Sequence, residues 1–77
     1  MKTNNVIITN NGNNIYTLET KTYKCVGYYE KISNNMTKVN LIKWYDKNTK
    51  RYKTYKNKLY NHTLKWFAYM LEKYKEA

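Results

Sequence analysis

The segment KWYDKNTKRYKTYKNK, residues 43–58, holds seven Lys or Arg side chains, four aromatic rings and a single carboxylate, Asp46. Cations at this density do one kind of chemistry well. They neutralise phosphates and release the counterions condensed on a polyanion. Interleaved rings add a second kind, because Tyr and Trp stack on unpaired bases or touch sugars, and a Tyr hydroxyl donates to phosphate oxygen. The side chains expected to bind a nucleic acid or another partner are Lys43, Lys47, Lys50, Arg51, Lys53 and Lys56 for the anionic groups, with Tyr45 and Tyr55 for stacking or hydroxyl contacts. Asn40, Asn48 and Thr49 would meet base edges if the segment entered a groove as a two-stranded ribbon.

The same residues have a plainer reading. Aromatic side chains suit any strand, and Lys alternating with apolar residues is the usual outer side of a half-buried one. Large rings dominate small cores, so Trp44 is expected in the core, while Tyr45, Tyr52 and Tyr55 are open to either role.

The charge excess runs through the whole chain. Fifteen Lys and Arg stand against five Asp and Glu in 77 residues, a formal net charge of +10. Solubility needs only a surface of mixed sign. A bias this strong is better tolerated if the partner is an anion. Nucleic acid is the first expectation. The alternative is a protein-binding inhibitor or adaptor, of the kind phages direct against a host nuclease or a defence complex such as a CRISPR effector. Its basic face would meet an acidic groove or the nucleic acid that the target holds. Asparagine pairs at 4–5, 10–11, 13–14 and 34–35, with many Lys and Tyr, have the texture of AT-rich coding found in small phage and mobile-element proteins.

Other chemistries find little support, and no enzyme is expected. One Cys (Cys25) and one His (His62) make neither an intrachain disulfide nor a four-ligand zinc site. No metal or cofactor is expected. Glu19, Glu30, Glu72 and Glu76 show no paired-acid spacing, and neither a glycine-rich phosphate loop nor a nucleophile elbow occurs. His62 has no partner in the sequence and reads as a polar-face residue. Cys25 reads as a small core side chain and Asp46 as a turn former. No run approaches 18 apolar residues, and the apolar stretch in MKTNNVIITN is too short for a signal peptide. A cytoplasmic protein without a membrane partner is expected, in the host cytoplasm if a phage encodes it.

These side chains need elements to hold them. The expectation is one small α+β domain over residues 1–77, an antiparallel meander of four to five strands over about 5–55 packed against a C-terminal amphipathic helix over about 58–76. NVIIT and IYTLET flank TNNGNN, whose Asn and Gly accept positive φ, and so read as a hairpin. TYKCVGYYEKI places Tyr23, Cys25, Gly27 and Tyr29 on one face and Lys24, Val26, Tyr28, Glu30 and Ile32 on the other. Gly27 inside that strand signals a bulge or a close backbone approach. KVNLIKWYD and RYKTY complete the meander around KNTK. If Asp46 pairs with Arg51 there, Trp44 meets Lys53 and Tyr45 meets Tyr52. A slip of one residue would exchange the faces.

Beyond Asn57 the period changes. Tyr60, Leu64, Phe67, Leu71 and Tyr74 form one helical stripe, widened by Trp66 and Met70. His62, Lys65, Tyr69, Glu72 and Glu76 lie opposite, and Asn57 or Asn61 is the candidate N-cap. A core-facing helix explains this stripe more simply than an interfacial membrane helix. The order of strands followed by a helix is similar in outline to arm-binding domains of mobile-element integrases and to small archaeal chromatin proteins. The glycine-rich turns of the latter are missing. In this chain the sheet face opposite the helix is left free, and the expected grip on nucleic acid is that exposed, cationic face together with the 47–51 turn, from whose tip Lys47, Lys50 and Arg51 project.

Overall fold

The computed structural model describes residues 2, 3 and 5–76, with side chains described for 5–75. The chain forms one antiparallel sheet whose strands are neighbours in sequence order. They are β1 (Lys2–Thr3), β2 (Val6–Gly12), β3 (Ile15–Glu19), β4 (Tyr23–Ser33), β5 (Met36–Asp46) and β6 (Arg51–Lys53), and α1 (Tyr60–Glu76) follows. β1 is only two residues long, so five strands carry the sheet. The α+β meander with a C-terminal helix is thus the observed architecture.

Local chemistry sets each reversal. Asn13 (φ 55°) and Asn14 (φ 64°) are the central residues between β2 and β3, both at the positive φ that a two-residue hairpin turn requires. Gly12, at φ 86°, ends β2 beside a bulge, and its N–H donates to Asn10 Oδ1 at 2.9 Å. Asp46 organises the turn after β5. Its Oδ1 accepts from the Asn48 N–H at 2.9 Å and the Thr49 N–H at 3.4 Å. β6 stops at Lys53 rather than Tyr55, because the chain turns and the Asn57 N–H donates to the Thr54 carbonyl. Asn57, not Asn61, then leads into α1: its Oδ1 accepts from the Leu59 N–H and its carbonyl from the Tyr60 N–H, both at 2.9 Å.

The helical stripe lands on the sheet. Phe67, Met70 and Leu71 are buried with Val6, Ile8, Tyr16, Leu18, Cys25, Tyr29, Leu41 and Trp44, and Tyr60, Leu64, Trp66 and Tyr74 pack around them. The apolar side of α1 is therefore consumed by the core. Among the described residues, no helix is long and apolar enough to cross a membrane. His62, Lys65, Tyr69 and Glu72 are exposed as expected, and the side chain of Glu76 lies outside the described residues. β4 alternates as its sequence implies, with Cys25, Gly27 and Tyr29 buried.

Gly27 is where helix and sheet come closest. A Cβ there would lie 2.7 Å from Phe67 Cζ and 2.7 Å from the Asn40 carbonyl oxygen. The pairing shifts at the same place. Val26 faces Lys43 and Gly27 faces Leu41, which leaves Ile42 as an extra residue on β5. Both readings of Gly27, close approach and bulge, hold together. The bulge lets Leu41 and Trp44, three residues apart, both enter the core.

Cys25 is fully buried on β4, and burial pushes its thiol up to about 11. A folded-state pKa above the unfolded value of 9.0 means that the native form holds its proton longer. Its contribution to stability is complete below pH 9 and is lost as pH rises towards 11. Tyr28, whose hydroxyl donates to Glu30 at 2.6 Å, is also held up and adds to the loss at the alkaline end. Denaturant midpoints should fall between pH 9 and 11. Alkylation of Cys25 at pH 8 should follow the rate of unfolding, and fast labelling of the native chain would contradict this burial.

Candidate nucleic-acid interface

The register around the KNTK turn is the one in which Asp46 pairs with Arg51, Tyr45 with Tyr52 and Trp44 with Lys53. That pairing sorts the basic segment into two sides. Trp44 is buried against α1, so Lys53 stands on the helix side of β6. Tyr45 and Tyr52 lie on the open side, their rings 5.0 Å apart and inclined by 63°. Trp44 is thus core, as its size implied.

Lys53 is held rather than free. Its Nζ lies 3.6 Å from Asp46 Oδ2 and 5.6 Å from the Trp44 ring centroid. Burial pushes the Asp46 carboxyl up, but the two turn N–H donors and Lys53 outweigh it and keep the carboxyl below its ordinary value. Asp46 stays ionised at neutral pH and fixes both the turn and the lysine. The Trp44 indole N–H is buried without an acceptor, the one such side-chain group among the described residues.

Two further expectations about the cations are revised. Lys47 does not project from the tip. Its Nζ donates to Glu19 Oε2 at 2.7 Å and to the Thr20 carbonyl at 2.8 Å, and its backbone N–H donates to the Thr22 carbonyl. The hydrogen bond and charge of Lys47 hold Glu19 below its ordinary value against a smaller upward push from burial. The open face is also less cationic than expected. Lys24, Lys38 and Lys43 share it with Glu19 and Glu30, and register places Lys38 opposite Glu30 and Lys24 opposite Glu19.

The remaining cations gather around the β6 edge instead. A shallow groove there is lined by Arg51, Tyr52, Lys53 and Lys56, with Thr49, Thr54 and Asn57. A second concavity shares Lys53 and Thr54 with it. It lies where β6 leaves residues 40–43 of β5 uncovered, and adds Asn40, Lys43, Trp44, Tyr55 and Tyr60. A third, on the open face, joins Lys24, Val26, Lys43, Tyr45 and Tyr52. Shared residues make the three continuous, and none is lined by an acid. Of the eight side chains singled out by sequence, Lys43, Tyr45, Arg51, Lys53, Tyr55 and Lys56 line this surface. Lys47 does not, and Lys50 sits exposed in the adjoining turn.

Tyr52 and Lys24 belong to the surface and were not among those eight. The signals for both were present. Tyr52 faces Tyr45 in the Asp46–Arg51 register, one of the two that the sequence left open, and Lys24 falls on the non-core side of β4 by alternation. The described residues contain no cluster of His, Cys, Asp and Glu able to hold a metal.

Lys50 carries a cost. It occupies the left-handed region at φ 58°, where glycine or asparagine is favoured. Lys50→Gly should raise stability by about 1 kcal/mol in urea denaturation. If the lysine is kept for its charge, the same change should weaken polyanion binding severalfold. A gain in stability with unchanged binding would remove Lys50 from the interface.

Set against protein-family models, curated proteins and solved structures, the chain matches none of them.

Proposed function

We propose that this protein is a small, non-enzymatic nucleic-acid-binding module, and that the strand travels along the β6 edge. One observation carries the reading. Lys43, Arg51, Lys53 and Lys56 line continuous shallow surfaces together with Tyr45, Tyr52 and Tyr55, and no carboxylate shares that lining. Phosphates replace water around the cations and release counterions, which supplies affinity regardless of sequence. Lys24 and Lys50 extend the positive surface at its two ends.

Binding measured across a range of salt tests this. Four neutralised phosphates give a slope of log affinity on log salt of about −3 on single strands and about −4 on duplex. A slope near zero, or no binding at low salt, would overturn the proposal.

A second reading has its own supporting observation. β6 covers only residues 44–46 of β5, so residues 36–43 form a strand edge without a neighbouring strand. Such an edge accepts a strand from another chain through main-chain hydrogen bonds. An inhibitor or adaptor of a nucleic-acid-handling host protein would use this edge, with the lysines beside it meeting acidic side chains. Capture from a host lysate of one stoichiometric protein that survives nuclease treatment, alongside negligible affinity for free nucleic acid, would favour this second reading.

A further inference from the structure

We infer that the β6-edge surface takes single-stranded nucleic acid, DNA or RNA, with bases stacked on Tyr52 and Tyr55. The inference rests on the nucleic-acid reading above and adds the form of the strand. Tyr52 is 64% exposed and Tyr55 72% exposed. Rings of this size normally bury most of their area. Neither belongs to the core or packs against it. Yet both line concavities that also hold Lys53, one of them with Arg51 and Lys56 and the other with Lys43.

This combination of open rings and a cationic track is what an unpaired strand requires. A base presents its π-face only when it is unstacked from its neighbours and unpaired from its complement. In a duplex those faces are occupied, and a ring on the protein meets only backbone and groove edges. Lysines alone would serve a duplex equally well; exposed tyrosines beside them would then be wasted apolar surface. The spacing also fits. Tyr52 and Tyr55 are separated by at most about 10 Å of chain, and the concavities that they line share Lys53 and Thr54. The Tyr45 ring supports Tyr52 edge-on at 5.0 Å and limits its freedom before a base arrives.

Tyr69 supplies an internal control. It is 56% exposed and has Lys73 5.5 Å from its ring, but it lies on the outer side of α1 and lines none of the three concavities. A ring and a cation together are present there without the groove.

The test uses the full chain and fluorescence anisotropy with labelled dT12, rU12 and a 12-base-pair duplex at one fixed salt concentration. Either single strand should bind at least tenfold more tightly than the duplex, and the ratio of dT12 to rU12 tells which sugar is preferred. Tyr52→Ala and Tyr55→Ala should each weaken single-strand binding by roughly 5- to 100-fold, as loss of one base stack does. Their salt slope should not change, since no phosphate contact is lost. Tyr55→Trp should retain or improve affinity, and Tyr69→Ala should match the parent chain. Tyr55 is the cleaner probe, because Tyr52 also touches Tyr45. Equal or tighter duplex binding, with Tyr55→Ala indistinguishable from the parent, would overturn the single-strand inference and leave the nucleic-acid reading standing. Failure of all three probes to bind would remove both.

Discussion

Gly27→Val should cost most of the stability of this chain, about 3 kcal/mol or more, as overpacking of a closed core does. Adding a side chain to a strand glycine usually helps by restricting the unfolded state. Here contact geometry reverses the sign. The first added carbon would meet the Asn40 carbonyl oxygen and the Phe67 ring, each at 2.7 Å. The ring is a fully buried side chain on a long helix, and burying such a ring contributes roughly 1.5–3 kcal/mol. Moving it away would open the contact that joins α1 to the centre of the sheet. The carbonyl belongs to a paired strand and yields even less. A domain of this size starts from about 4–11 kcal/mol in total, so the variant should show a much lower urea midpoint and partial unfolding at 37 °C. Gly27→Ala should show the same direction with a smaller loss. A Gly27→Ala chain as stable as the parent would mean that the helix does not sit in this notch.

Replacing Lys43, Arg51, Lys53 and Lys56 together by Gln should lower nucleic-acid affinity by about 10²–10³ near physiological salt and flatten the salt dependence by about 3 on single strands. The four positions are on the surface or at its edge, and Lys53 is the one with a structural partner. Its loss leaves Asp46 with only its two turn N–H donors, so a parallel variant that retains Lys53 separates folding from binding. The triple variant should keep the parent's stability and still lose most of the affinity. As a comparison, Lys65→Gln and Lys73→Gln on α1 remove two charges from the far side of the helix. If those two substitutions weakened binding as much as two from the β6 edge, attraction would be a property of total charge, and the groove would have no special place in it.

The sequence made much of the scaffold legible, and the reason is physical. The stripe from Tyr60 to Tyr74 follows a helical period, and burial of Phe67, Met70 and Leu71 answers to it directly. β4 alternates cleanly because it is the central strand and both its neighbours hold it in phase. Asp46 before KNTK marked a turn and offered a pairing with Arg51, and the structure selects that register over the one slipped by a residue. β5 was harder to read for a local reason. Strict alternation outward from Trp44 would bury Ile42 and expose Leu41, but the bulge opposite Gly27 does the opposite, leaving Ile42 51% exposed and Leu41 in the core.

The cationic surface was legible in composition and less so in place. Density of charge pointed to residues 43–58, of which Lys43, Arg51, Lys53 and Lys56 line the β6-edge concavities while Lys47 is tied to Glu19. Alternation alone could not show that Lys53 shares a side with Trp44, since this depends on register. Nor could it show that Lys47 turns back to Glu19, 28 residues earlier, because that pair exists only once β3 and the turn after β5 are adjacent. The short β6 matters most. Had it continued through Tyr55, that ring would have been committed to one face of the sheet, and Ile42 and Lys43 would have had a neighbour.

The surplus residue at Ile42 sets where this strand can change length. Removing it would leave an uninterrupted ladder with Leu41 and Lys43 still on their present sides. Losing or gaining a residue between 43 and 46, or between 37 and 41, would instead turn one half of the strand inside out and carry either Trp44 or Leu41 into water. β5 thus behaves as two segments spliced out of step, and the splice is the one point along it where a deletion is silent.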